Sequence, residues 1–300
     1  MVAAYHLGYW WWIPVNGRSP FHPWTPLSFG WVGVEIFFVI SGFVIAFSAQ
    51  HKSRGEFIWH RALRLYPAAW ICATITALIA TPTSGSYLRT LALSPIGPWV
   101  SGVYWTLAIE IVFYTLVAIS TDLHKLALWL GLYSSAFWAA KLVNLAIGQP
   151  IDFSAIETNA GYLLLLHFGV FFACGMMMWA RKWTWAGVFG MVGLLEVLWR
   201  SHAMHEPFFY SAGIVWAIAT LLIAASVRWN DHLGFTARTI GLMTYPLYLV
   251  HAELGRWVML HFADQWIAFV AGIAAVVLTA WAVLPGERAI RSLAQFNRRP

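Results

Sequence analysis

Charge is scarce in this 300-residue chain: Asp, Glu, Lys and Arg make up 10% of it, against 60% hydrophobic residues. A soluble domain carries about 25% charged residues. Too few are present here to coat a water-facing globule, and a soluble fold is excluded. Cysteine is scarcer still. Cys72 and Cys174 both lie within apolar runs, and their spacing suits neither a disulfide nor a metal site. Long basic runs are missing, which sets nucleic acid aside as a partner despite a net charge of +6. No soluble domain, low-complexity tract or clear internal repeat breaks the pattern. The opening residues have neither the charged start nor the cleavage site of a signal peptide.

What the chain does have is apolar length. Its hydrophobic residues fall in runs of about 17–22, enough to cross a hydrocarbon core of about 30 Å as helices. The runs are continuous and do not alternate with period two, so helices rather than a barrel are expected. Twenty Trp and eleven Tyr suit interfacial aromatic belts. The expected fold is an all-α transmembrane bundle of about ten spans, forming one domain over residues 1–300. After a short opening run, Met1–Trp12, the spans read as Ser28–Ala49, Ala62–Ala80, Val103–Ser120, Leu126–Gly148, Gly161–Ala180, Trp185–Arg200, Phe208–Val227, Ile240–Leu260 and Trp266–Leu284. Twelve helical residues reach only about 18 Å, so the first span reads as incomplete, with its beginning expected upstream of Met1.

Lys and Arg set the expected orientation. One set of alternate segments carries Lys52, Arg54, Arg61, Arg64, Lys125, Arg181, Lys182, Arg228, Arg238, Arg288, Arg291, Arg298 and Arg299. The opposite set holds only Arg18, Arg89 and Arg200. Thirteen against three places the loop after the second span and a tail from about residue 286 in the cytoplasm, and the loop at 13–27 outside. The expected location is a bacterial inner (cytoplasmic) membrane.

Ionisable groups within spans are expensive, about 2.5–3.5 kcal/mol each at the bilayer centre on insertion scales. His6, Glu35, Glu110, Lys141, His167, Glu196, His251, Glu253 and Arg256 all lie in apolar runs, which implies a polar cavity. His6 is suited to general-base work, because imidazole titrates near neutrality; an interfacial histidine is the plain alternative. Glu110, in the outer half of its span, reads as a group that orients a histidine or holds a proton, or else as a packed carboxylate. His251 falls in the outer part of its run, so a cluster with His6 and Glu110 is geometrically open. Arg61 and Arg64 are one turn apart on one helix face and can grip phosphate, or simply anchor the cytoplasmic end. Ser41-Gly42 marks a bend, a close approach or a packing notch. Lys141, His167 and Glu196 have no evident partner and read as structural.

Together with their neighbours, these positions form a familiar series. Gly33-Val34-Glu35-Ile36-Phe37-Phe38-Val39-Ile40-Ser41-Gly42-Phe43 resembles the second-helix signature of the acyltransferase family 3 membrane proteins. Arg61-Ala62-Leu63-Arg64-Leu65-Tyr66-Pro67 is similar to that family's Arg-x-x-Arg…Pro segment at its third helix. Trp105-Thr106-Leu107 with Glu110, Phe113 and Tyr114 resembles its Trp-Ser/Thr-Leu-x-x-Glu-x-x-Phe-Tyr segment. Tyr245-Pro246-Leu247-Tyr248-Leu249-Val250-His251 resembles its late Tyr-x-x-Tyr-Leu-x-His helix, and Ala3-Ala4-Tyr5-His6 the end of its first helix. Two departures stand out. The arginine that family members carry about three turns before the first-helix histidine is absent from this sequence, and Glu35 stands where Asp is usual.

The resemblance implies a membrane O-acyltransferase. It would carry an acyl group, often acetyl, from cytoplasmic acyl-coenzyme A to a hydroxyl of a glycan or another exported acceptor. Acyl-coenzyme A would be a co-substrate, with no tightly bound cofactor and no metal. Arg61 and Arg64 would hold coenzyme A phosphates, and Ser41, Gly42 and Phe43 would line a passage for the thioester arm. His6 would be the catalytic base, positioned by Glu110, with Glu35, Tyr248 and His251 contacting substrate. The rival expectation is a transporter or flippase whose buried ions form a substrate path.

Overall fold

The computed structural model describes residues 1–12, 19, 21, 27–148, 151–154, 156–204, 209–227 and 235–296, and it is helical, with no strand among them. Helix α1 (Val2–Tyr5) runs on into a π-helical turn, His6–Trp10. A 3-10 turn, Ser28–Val32, leads into α2 (Gly33–Ala49). Next come α3 (Arg54–Ala80) and the short α4 (Ser84–Leu91). A second 3-10 turn, Gly102–Tyr104, opens α5 (Trp105–Ile119), which is followed by α6 (Leu123–Ala146). After a single helical turn, Asn159–Tyr162, come α7 (Gly169–Trp179), α8 (Trp183–Ala203), α9 (Phe209–Ser226), α10 (Phe235–Met259) and α11 (Gln265–Phe296).

Five helical segments among the described residues are long and apolar enough to cross a membrane: Ser28–Ala49, Arg54–Ala80, Gly102–Ile119, Leu123–Ala146 and Gln265–Ala294. Many of their large apolar side chains face outward, among them Leu278 and Trp281 on α11 and Leu78 on α3. Such surface suits lipid and would be a liability in water. Helices α8 and α10 have spanning length but carry ionisable side chains along it.

Local signals explain the helix starts. Ser53 and Glu56 form a reciprocal capping box: the Ser53 N–H donates to the Glu56 carboxylate at 2.9 Å, and the Glu56 N–H to the Ser53 hydroxyl at 3.3 Å. Helix α3 therefore begins eight residues before the expected Ala62, and Arg61, expected just ahead of the span, lies within it. Asp122 caps α6, accepting from the N–H groups of His124 at 2.9 Å and Lys125 at 3.1 Å. The bond from Lys125 is the main reason the Asp122 carboxyl sits below its ordinary range.

One expected span is corrected. Gly161–Ala180 is not a single helix, because the backbone turns before α7 and Leu165 takes a left-handed φ of 57°. Eleven residues of α7 cover only about 16 Å. The break frees a carbonyl at Leu166, and the Ser134 hydroxyl on α6 donates to it at 2.7 Å. Irregular backbone at such depth is tolerated when protein groups satisfy it. The tail expected from about residue 286 also differs, since α11 continues past that point to Phe296. Most of the loop at 13–27, together with Arg18, Arg228, Arg298 and Arg299, lies outside the described residues, as does the side chain of Arg238.

The chain divides into two compact units. The first comprises Met1–Gly30, Trp59–Ala108 and Asp231–Pro300. Within it α1 and its π turn run alongside α10 in the same direction: Leu7 fills the space over Gly255, and Trp11 lies beneath the Arg256 guanidinium at 3.9 Å. Helix α3 is tied to α10 by the Tyr245 hydroxyl, which donates to the Leu65 carbonyl at 3.2 Å.

The second unit comprises Trp31–Ile58 and Ile109–Asn230. Its centre is the α2–α7 contact, where both backbones lack side chains at the point of approach. A Cβ at Gly42 would meet the Phe172 carbonyl, and one at Gly175 the Val39 carbonyl. Around this notch Phe172 stacks on Phe113 at 4.1 Å and packs against Phe38 at 4.7 Å.

Gly175→Ala should therefore push α2 and α7 apart and cost about 1–3 kcal/mol, seen as a lower Tm of the purified protein in detergent. Gly187→Ala on α8, where a Cβ meets nothing within 4 Å, serves as the control and should leave Tm unchanged or raised.

Candidate functional site

In the first unit the sequence-predicted His6 and His251 meet. The His6 Nδ1 and His251 Nε2 atoms lie 2.6 Å apart, and the two rings are within 3° of parallel. His251 is fully buried, while His6 is partly open. The other ring nitrogen of His251, Nδ1, lies 2.6 Å from the Tyr248 carbonyl. A carbonyl only accepts, so His251 carries its proton on Nδ1 and presents a lone pair at Nε2. His6 must then donate from Nδ1, which leaves its own Nε2 as the basic nitrogen. The tautomer follows from the hydrogen bonds, each group having one compatible role. His6 opens the π-helical turn, an irregularity that recurs at functional positions.

Tyr248 supplies more than its carbonyl. Its hydroxyl donates to the Val103 carbonyl at 3.2 Å and lies 3.0 Å from the Thr106 hydroxyl, pinning α10 to the turn before α5. Three residues earlier on α10, the Tyr245 ring lies under the Arg64 guanidinium, 5.6 Å from its carbon. Arg64 donates to the buried Glu287 at 3.2 Å, and Glu287 also pairs with Arg291. Arg291 reaches the Arg64 carbonyl at 3.2 Å. Arg61 stands half-buried one turn before Arg64. The Arg64, Arg291 and Glu287 group carries one net positive charge, with Arg61 adjacent. It is suited to an anion with several acceptor oxygens.

In the second unit Glu110 is buried and accepts from the Ser41 hydroxyl at 3.0 Å and from the Tyr114 hydroxyl. Gly42 takes part in the helix notch already described, and Phe43 beside it is half-buried. Glu35 is fully buried and pairs with Arg200, which also reaches Glu196 at 3.2 Å. The guanidinium lies over the rings of Trp31 at 5.3 Å and Phe168 at 5.6 Å. Glu35 in the first turn of α2 thus meets Arg200 in the last turn of α8.

Three partners escaped the sequence reading. Arg200 was counted as a loop residue and Glu287 and Arg291 were assigned to a tail, yet all three close buried ion pairs. The i, i+4 spacing of Glu196 with Arg200 and of Glu287 with Arg291 was the available signal. Glu196 and Lys141, read as having no evident partner, pair with Arg200 and Glu157.

Comparison with known proteins adds the following. A family model described as an acyltransferase domain matches residues 1–284. The chain is also similar to Nodulation protein 10 of Rhizobium leguminosarum bv. viciae, 29% identical over 139 residues, which covers 35% of this chain and 37% of that relative's length. No solved structure matches.

Removing Arg200 should unsettle the second unit, because two buried carboxylates would lose their cation. Arg200→Met is expected to lower unfolding free energy by about 3–5 kcal/mol, measured by denaturant titration in detergent. Adding Glu35→Gln and Glu196→Gln should recover most of the loss; equal stability of wild type and Arg200→Met would refute this account of the pair.

Proposed function

The chain belongs to the acyltransferase 3 family, and from that premise we propose that it carries an acyl group, acetyl in the simplest case, from acyl-coenzyme A to a hydroxyl of an exported or membrane-associated glycan. Family membership makes it a membrane-embedded acyltransferase, and the transporter alternative gives way. The observation that carries the finer reading is the chain of hydrogen bonds from the Tyr248 carbonyl through His251 to His6, because it leaves His6 Nε2 as an accessible base.

In the proposed step, the acceptor hydroxyl gives its proton to His6 Nε2 as its oxygen attacks the thioester carbonyl carbon. The carbon–oxygen bond forms, the carbon–sulfur bond breaks, and coenzyme A leaves as a thiolate that takes up the proton His6 received, returning the imidazole to its neutral form. His251 holds the His6 ring in the correct tautomer and orientation, the role the sequence reading gave to Glu110. A neutral imidazole paired with another imidazole avoids burying an additional charge.

The donor's phosphates would meet Arg64 and Arg61, with Arg291 alongside. Helix α10 supports this pairing of functions. Tyr245, beside Arg64, and His251, beside His6, are six residues apart, or about 9 Å of helix rise. A thioester on a slender arm spans that distance while its charged end stays at the guanidinium groups. The excess of Lys and Arg in alternate segments supports a cytoplasmic position for Arg64 and the C-terminus, with His6 toward the outside.

His6→Ala should abolish transfer from radioactive acetyl-coenzyme A to membrane glycan at unchanged protein level; surviving transfer would remove His6 as the base. His251→Ala should lower kcat by about 10²-fold or more with little change in the donor KM. His251→Gln, which keeps an acceptor for His6 Nδ1, should restore part of the rate. Arg64→Ala should raise the donor KM more than the acceptor KM, and an unaltered donor KM would take the phosphate role from Arg64.

A further inference from the structure

The second unit holds a cavity of about 340 Å³ that none of the residues discussed so far as catalytic or donor-binding lines. It lies where the C-terminal ends of α6 and α8 meet residues 151–154 and Glu157. Lys141, Asn144, Asp152 and Glu157 supply its polar wall, and Trp199 with Phe153 its aromatic wall. Its volume falls within the range of small-ligand sites.

The walls are held in place. Phe153 and Trp199 pack on the buried cluster of Phe137, Trp138 and Leu166. The Asn144 side chain clamps Ile151 from both sides, donating to its carbonyl at 2.9 Å and accepting from its N–H at 3.0 Å. Lys141 is fixed between Glu157 and the Trp138 ring, which it overlies at 4.9 Å. Asp152 accepts from the Ser154 N–H at 2.8 Å and its hydroxyl at 2.9 Å, one bond to each oxygen. These bonds hold its carboxyl below the usual range, with the N–H contributing most. Each oxygen keeps a lone-pair direction for a ligand.

The chemistry narrows the occupant. Lys141 contributes one positive charge, and Asp152 and Glu157 two negative ones, so the lining is net negative and repels phosphate or another anion. A pyranose ring matches the rest: its C–H face lies on an indole, and its hydroxyls donate to carboxylates and accept from an ammonium or amide.

We propose that this cavity is a saccharide subsite that holds a neutral sugar ring of the acceptor against Trp199, with Asp152 and Lys141 reading its hydroxyls. The proposal deepens the transferase reading and rests on it for the word acceptor, since binding of the sugar stands by itself.

The test uses the full chain purified in detergent and the methyl glycosides of glucose, galactose, mannose and rhamnose, read by saturation-transfer NMR. At least one glycoside should show saturated ring protons. Its Kd should weaken about tenfold in Trp199→Ala and similarly in Asp152→Ala, an exposed change that spares the aromatic cluster should the first variant fold poorly. Gly187→Ala, where a Cβ meets nothing within 4 Å, should bind the sugar as wild type does. No saturation with any glycoside, or signal unchanged in both pocket variants, overturns the subsite. Saturation of glycerophosphocholine in place of the sugars assigns the cavity to a lipid headgroup and overturns it as well. Sugar binding without acyl transfer by the wild type would sink the transferase reading alone, whereas transfer without sugar binding would sink this one.

Discussion

A guanidinium or carboxylate removed from water keeps its charge only if a partner stands within reach, and this structure answers to that constraint throughout. Arg200 satisfies Glu35 and Glu196 together, and Glu287 satisfies Arg64 and Arg291 together. Each group links helices remote in sequence through a single buried carboxylate or guanidinium. Lipid supplies no hydrophobic drive between helices. Close packing at Gly42 and Gly175 and polar fastening at the ion pairs therefore carry the association within the second unit.

Elsewhere the chain uses neutral polar groups. Two imidazoles and one backbone carbonyl form a linear series in which each member has a single compatible role. The series depends on the parallel course of α1 and α10, which Gly255 permits by leaving room for Leu7. Tyr248 then serves twice, through a carbonyl that sets the His251 tautomer and a hydroxyl that anchors the helix. The histidine pair and the Arg64 group are thereby both held by one stretch of α10.

Much was legible in advance, and the reasons are physical. Scarce charge with long apolar runs leaves a helical membrane protein as the outcome, because backbone groups in hydrocarbon must bond within their own segment. The motifs around His6, Arg61, Arg64, Glu110 and His251 pointed to the family that the domain match bears out. Less visible was the break before α7: the run Gly161–Ala180 is apolar throughout, and only a hydroxyl from another helix makes the interruption tolerable. The early start of α3 was readable in Ser53 and Glu56 but is polar, so hydropathy passed over it.

By itself, then, the sequence determined the membrane setting, the all-helical class and the residue types available for chemistry, since these follow from local composition and spacing. Tertiary structure alone decided that His6 is served by His251, that Glu35 belongs to Arg200, that Arg64 shares Glu287 with Arg291, and that a sugar-sized cavity opens beside Trp199. Each of those depends on residues tens to hundreds of positions apart, and no local pattern encodes which of several helices will lie alongside.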